Sequence, residues 1–207
     1  MMRSLLAALA IVFCATAALA NTGRDMRVVP VIETARMVIG PATAPVTVVI
    51  YGDLACPDTR RAWGYLRADA AQHPGEVRVE FKHVVVHRNA EIGARYLDAI
   101  LVTDPSKAAA FVDAAFADWP PGEAAHDAAA ITAAMDRAAA GAGLDLAAVH
   151  AALDVDRTAA RIEADTAEHH GFLFHGIPGV VIDGTRIWDE AGGAGYSDLI
   201  DADLSAH

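Results

Sequence analysis

Residues 46–51 (VTVVIY) form a run of β-branched and aromatic side chains without helical period, which reads as a buried central strand. Residues 77–86 (VRVEFKHVVV) begin by alternating apolar and polar positions and finish as an apolar run, giving a second core strand. Between the two, Trp63, Leu66 and Ala70 recur at helical spacing. The first strand is therefore expected to lead into an amphipathic helix over 58–72, stopped by His73, Pro74 and Gly75. From residue 87 to about 170 the period is helical, interrupted at Asp104-Pro105, at 119–122 and at 141–143. Four or five helices follow, one over 107–118 capped by Asp104 and one over 146–153 capped by Asp145. Ile131, Met135, Leu144, Val149, Leu153 and Ile162 give them an apolar stripe. Residues 179–183 and 185–188 are apolar runs joined by Asp183-Gly184, a hairpin signal, and a short helix over 196–204 closes the chain. Residues 27–32 suit an edge strand, where Pro30 is tolerated. Strands on either side of a helical block make an α/β protein with a helical insertion over about 88–170.

Composition narrows this to one core. At 207 residues and 54% apolar content, the chain can bury a single good core with an inserted subdomain but not two full domains. Arg3, the apolar run over 5–18 and the small-residue site Ala18-Leu19-Ala20 describe a cleaved secretory signal over residues 1–20. That run is short for a bilayer span. Phe13, immediately before Cys14, counts against lipid attachment there. Of the two cysteines, cleavage removes Cys14 and leaves Cys56, so the mature domain over 21–207 has no internal disulfide. It also removes Arg3, which takes the formal charge from −11 to −12. An acidic protein of this kind is a poor partner for nucleic acid or anionic membranes.

The chemistry gathers at that single sulfur. Cys56 follows the strand and a Gly-Asp pair, and Pro57 suits the first position of a helix, where no N–H is needed. A cysteine at this junction faces free backbone N–H groups and the positive end of the helix dipole, which favour thiolate over thiol. Asp58 opposes this by like-charge repulsion. Thr59, one helical turn on, has two readings: its hydroxyl donates to the thiolate, or it is a plain threonine on the helix surface. Other polar features carry less. His169, His170 and His175, near Glu163 and Glu168, are better explained as solvated residues at a helix end than as metal ligands, so no metal and no cofactor is expected. His83 and His87 flank the end of the second strand within approach of Cys56, with no role assigned. Residues 192–195 lack the strand-to-helix context and lysine of a phosphate loop and read as a flexible connection.

Three segments, in order, resemble the DsbA-like branch of the thioredoxin fold, periplasmic proteins that exchange disulfides. Residues 39–46 look like that family's lead-in, and residues 51–57 (YGDLACP) like its first strand and active-site entry. Residues 176–184 (GIPGVVIDG) are similar to its cis-proline loop and following strand. The resemblance implies a thioredoxin-like fold with a helical insertion, a periplasmic location, and an Ile177-Pro178 bond that is cis and packs against Cys56, leaving backbone groups to pair with a substrate strand. This chain departs from the family's C-x-x-C pattern: Cys56-Pro57-Asp58-Thr59 lacks the resolving cysteine. Related proteins also often carry an acidic residue six positions before the cysteine, where this chain has Ile50.

An ordinary oxidase cycle needs two sulfurs, because the second releases the mixed disulfide formed by the first. The expectation is therefore isomerase- or reductase-type exchange through Cys56, with Pro57, Asp58 and Thr59 around it and Ile177 and Pro178 holding substrate. Partners would be proteins with thiols or disulfides, together with a small thiol or a membrane redox partner. Two alternatives stand beside it. One is a redox-inactive periplasmic binding or chaperone-like protein that keeps the groove; the other is a glutathione-using isomerase or transferase, for which the sequence offers no signature.

Overall fold

The computed structural model describes residues 24–28, 37–187 and 192–207. The expected signal segment, most of the expected edge strand over 27–32, and Trp188 at the end of the hairpin lie outside the described residues. Six strands form one mixed sheet: β1 (Arg24–Val28), β2 (Met37–Ile39), β3 (Val46–Gly52), β4 (Val77–His83), β5 (Gly179–Ile182) and β6 (Thr185–Ile187), in the order β1-β6-β5-β3-β4-β2. The β-branched run becomes β3 near the centre, parallel to β4 and antiparallel to β5. Helix α1 (Pro57–Gln72) crosses between β3 and β4. Five helices, α2 (Glu91–Thr103), α3 (Ala108–Asp118), α4 (Ala128–Gly141), α5 (Leu146–Ala152) and α6 (Val155–Gly171), lie between β4 and β5, and α7 (Gly192–Leu204) follows the hairpin.

Local chemistry explains several boundaries. Asp145 accepts from Ala147 N at 2.9 Å to start α5, and Asp127 accepts from Ala129 N at 3.0 Å to start α4, each satisfying a donor the helix cannot. Asp104 accepts from Ser106 N at 3.2 Å. It caps a 3₁₀ turn, Pro105–Lys107, that runs into α3. At the hairpin, Asp183 and Gly184 both have positive φ, 47° and 73°, the backbone a two-residue turn matched to strand twist requires.

Alternation along β3 sorts side chains between two cores. Val48 and Ile50 join Leu66, Phe81, Ile100 and Phe111 in the larger apolar cluster, with Trp63 and Ala70 of α1. Val49 and Tyr51 point the other way, to Val84, Phe172, Phe174 and Val181. Each fully buried aliphatic or aromatic side chain contributes about 1.5–3 kcal/mol relative to exposure.

The structure corrects three expectations and adds a strand. β4 stops at His83 rather than Val86, because the amides beyond it turn to Gly52 and Asp53: Val84 N donates to Gly52 O at 3.1 Å and Val86 N to Asp53 Oδ2 at 2.9 Å. Residues 192–195 open α7 rather than forming a flexible connection. Leu153 is 38% exposed rather than part of the packing stripe. The three-residue strand β2, antiparallel to β4, was too short to leave a periodic signal.

Candidate active site

The chain leaves β3 at Gly52, turns, and enters α1 at Pro57. In the turn Cys56 N donates to Asp53 O at 3.3 Å, and Arg60 N donates to Cys56 O at 3.0 Å. Cys56 is the N-cap of α1, with extended φ −81° and ψ 119°, and its Sγ accepts from Thr59 N at 3.4 Å. The sulfur thus takes up one of the unpaired amides at the start of the helix. It is 4% exposed. Across from it, the Ile177 carbonyl oxygen lies 4.0 Å from Sγ, and the Ile177-Pro178 bond is cis.

Asp58 is exposed and paired with Arg61. Its carboxylate accepts from Arg61 Nη1 at 2.8 Å, with side chains 59% and 65% exposed, so solvent and the guanidinium screen its charge. Thr59 follows neither expected reading. It is fully buried, not on the helix surface, and its Oγ1 has no hydrogen-bond partner; the group that reaches the sulfur is its backbone N–H. The threonine is pressed on Gly52, where an added Cβ would lie 2.4 Å from Thr59 Cγ2 and 2.5 Å from Oγ1. Only glycine fits there.

Asp53 organises the turn and was not singled out by the sequence. Its side chain is 1% exposed. Oδ1 accepts from Ala55 N at 3.1 Å, while Oδ2 accepts from Val86 N at 2.9 Å and His87 N at 3.0 Å. His87 Nδ1 lies 3.1 Å from both oxygens. One buried carboxylate therefore ties the turn before Cys56 to the segment after β4.

A cavity of about 320 Å³ adjoins this corner, lined by Asp58, Arg61, Ala62, Tyr65, Gly176, Ile177, Pro178 and Tyr196. Its Ile177 wall is braced from behind. His169 Nε2 lies 2.9 Å from Gly176 O, and its ring stacks on Phe174 at 5.1 Å between centroids. His169 is 3% exposed, which corrects the expectation of a solvated histidine. Next to it, Glu168 Oε1 accepts from Lys82 Nζ at 2.5 Å and from the Tyr51 hydroxyl, with both charged side chains within 1% of full burial. Burial, and then the Glu168 carboxylate, push the Tyr51 phenol well above its ordinary pKa. Among the described residues no cluster of three or more His, Cys, Asp or Glu side chains is placed to hold a metal ion, and no helix is long and apolar enough to cross a membrane.

The thioredoxin family model matches residues 33–202. The chain belongs to the thioredoxin family. Solved structures share its thioredoxin-like fold. A thioredoxin-like oxidoreductase from Silicibacter pomeroyi is 22% identical, covering 84% of this chain and 95% of its own, with a TM-score of 0.68. BdbD from Bacillus subtilis, in its oxidised form, is 19% identical over 83% of this chain and 94% of its own, TM-score 0.69. The thiol-disulfide exchange protein alpha-DsbA2 from Wolbachia pipientis is 13% identical over 83% and 86%, TM-score 0.66. No curated protein matches the sequence.

On this thioredoxin-family frame Cys56, Pro57 and Asp58 stand at the mouth of the corner, with Ile177 and Pro178 opposite, so residues about 120 apart in sequence meet. Thr59 lies beneath them. Sequence reading missed Asp53 and left His87 without a role. The signal for Asp53 was present in the polar residue that directly follows a buried strand and Gly52, but its partners at Val86 and His87 lie more than 30 positions away.

Proposed function

We propose that this protein performs thiol-disulfide exchange, of isomerase or reductase type, on secreted proteins in the periplasm, with Cys56 of the Cys56-Pro57-Asp58-Thr59 motif as nucleophile. The observation that carries the reading is the setting of Sγ between the Thr59 amide at the start of α1 and the Ile177 carbonyl, beside an open groove. The Cys56 thiolate attacks one sulfur of a substrate disulfide; the other sulfur departs as a thiolate, leaving a mixed disulfide on Cys56. A second thiol, from the substrate, a small thiol or a redox partner, then attacks the substrate-side sulfur and frees Cys56. Ile177 and Pro178 border the groove where an extended substrate strand pairs with backbone. A relative from Salmonella enterica described as a periplasmic thioredoxin-like protein supports the compartment, and the alpha-DsbA2 relative supports the chemistry.

The 4% exposure of Cys56 favours one second reading, a groove that binds polypeptide without redox turnover. Refolding of a scrambled disulfide protein in glutathione buffer separates the two. The wild-type chain should accelerate recovery and Cys56→Ser should abolish the acceleration. Full turnover by Cys56→Ser would sink the exchange reading, and equal binding of unfolded peptide by two chains that both lack turnover would establish the second.

A further inference from the structure

With no second cysteine among the described residues, the thiol that resolves the mixed disulfide has to arrive from another molecule, and near neutral pH an ordinary thiol with pKa about 8.5 is mostly protonated. Only its thiolate attacks. A site that turns over this way gains from a base beside the sulfur.

Resting on the exchange reading above, we propose that His87, oriented by Asp53, is that base: its Nε2 takes the proton of the incoming thiol. Three backbone amides, of Ala55, Val86 and His87, already donate to the Asp53 carboxylate, which fixes it as an acceptor toward the imidazole. Nδ1, 3.1 Å from both carboxylate oxygens, is then the protonated nitrogen of the neutral ring, and the lone pair is on Nε2. Nε2 makes no hydrogen bond among the described residues, and the side chain is 44% exposed while Asp53 is 1% exposed. A buried carboxylate that orients one imidazole nitrogen and leaves the other facing solvent is the arrangement a general base needs. The imidazole is also tied to the turn that carries the sulfur. His87 Nδ1 and Ala55 N lie within 3.1 Å of the same Oδ1 atom, and Ala55 immediately precedes Cys56.

The step balances without a further reactant. The S–H proton of the incoming thiol passes to Nε2; the resulting thiolate forms an S–S bond with the substrate-side sulfur. The Cys56–sulfur bond breaks, Cys56 leaves as the thiolate that accepts from Thr59 N–H, and the imidazolium returns its proton to solvent. The incoming thiol is oxidised and Cys56 is reduced.

The test uses the Cys56–glutathione mixed disulfide made with oxidised glutathione, and follows release of free Cys56 by added reduced glutathione in the full chain. His87→Ala should slow release about 100-fold near neutral pH, and free imidazole should restore part of the loss. Alkylation of unmodified Cys56 by iodoacetamide, which involves no incoming thiol, should change less than two-fold. Release from His87→Ala at the wild-type rate would overturn the inference, and so would slow release that imidazole does not rescue or a matching fall in alkylation. Failure of wild-type Cys56 to form the adduct at all would instead overturn the exchange reading, and this inference with it.

Discussion

Alternate residues of β3 leave the sheet on opposite sides and meet different surroundings. Val48 and Ile50 enter an aliphatic and aromatic cluster shared with α1, α2 and α3. Val49 and Tyr51 enter a smaller one in which Tyr51 and Lys82 converge on Glu168, a buried residue of α6. The first side gains its stability from area removed from water, a non-directional term that tolerates reshuffling as long as volume is kept. The second depends on particular atoms meeting: the same turn of α6 that carries Glu168 carries His169, which braces the carbonyl of Gly176 next to Ile177. One face supplies stability, and the other fixes where the wall of the candidate site stands.

The sharpest way to break that contrast is to remove one partner of the buried pair. Lys82→Met should destabilise the protein by about 3–5 kcal/mol in urea denaturation, because Glu168 keeps a buried charge and loses the Lys82 ammonium beside it. Adding Glu168→Leu should recover most of the loss, since a buried ion pair replaced whole by apolar groups is often neutral. A single-variant cost below about 1 kcal/mol would show the polar side to be as forgiving as the apolar one. A smaller effect of opposite sign belongs to Thr59, whose buried hydroxyl lacks a partner. Thr59→Val keeps the shape, removes the unsatisfied group and should stabilise by about 1–3 kcal/mol. Cys56 alkylation should be unaltered, because the sulfur is held by the backbone amide; a slower reaction would give the hydroxyl a part in the chemistry. The smallest change is expected for Ile50→Val on the apolar face, a loss of about 0.5–1.5 kcal/mol with no change in thiol reactivity. A larger loss, or altered reactivity, would mean that this face also positions the site.

The same division governs what could be read in advance. β3, α1 and the β5-β6 hairpin were legible because local signals decide them: a β-branched run, Trp63, Leu66 and Ala70 at helical spacing, and Asp183-Gly184 at a turn that needs two positive φ angles. Cys56 was legible as a helix cap for the same reason. β4 was read three residues too long, since Val84 to Val86 are apolar enough to continue a strand. What stops it is the Asp53 carboxylate, which takes the amide of Val86 from 33 positions away and that of His87 beside it. Lys82 gave a faint warning as a cation beside Phe81 and the apolar run that follows His83, but its carboxylate partner is 86 positions distant. Thr59 was misplaced because helical spacing alone does not reveal that Gly52 leaves a cavity-sized recess for it. Long-range polar pairing, rather than hydrophobic period, accounts for most of what remained hidden.

Cys56 is the one cysteine among the described residues, and position 59 offers it a buried threonine. With two sulfurs on one helix turn, a covalent adduct clears at a fixed intramolecular rate set by their effective concentration. On the exchange reading proposed above, the clearance rate on this helix is first order in whatever thiol surrounds the protein. The fraction of molecules carrying an adduct then rises where thiols are scarce and falls where they are plentiful, so on that reading the occupancy of Cys56 becomes a running gauge of the reducing strength of its compartment.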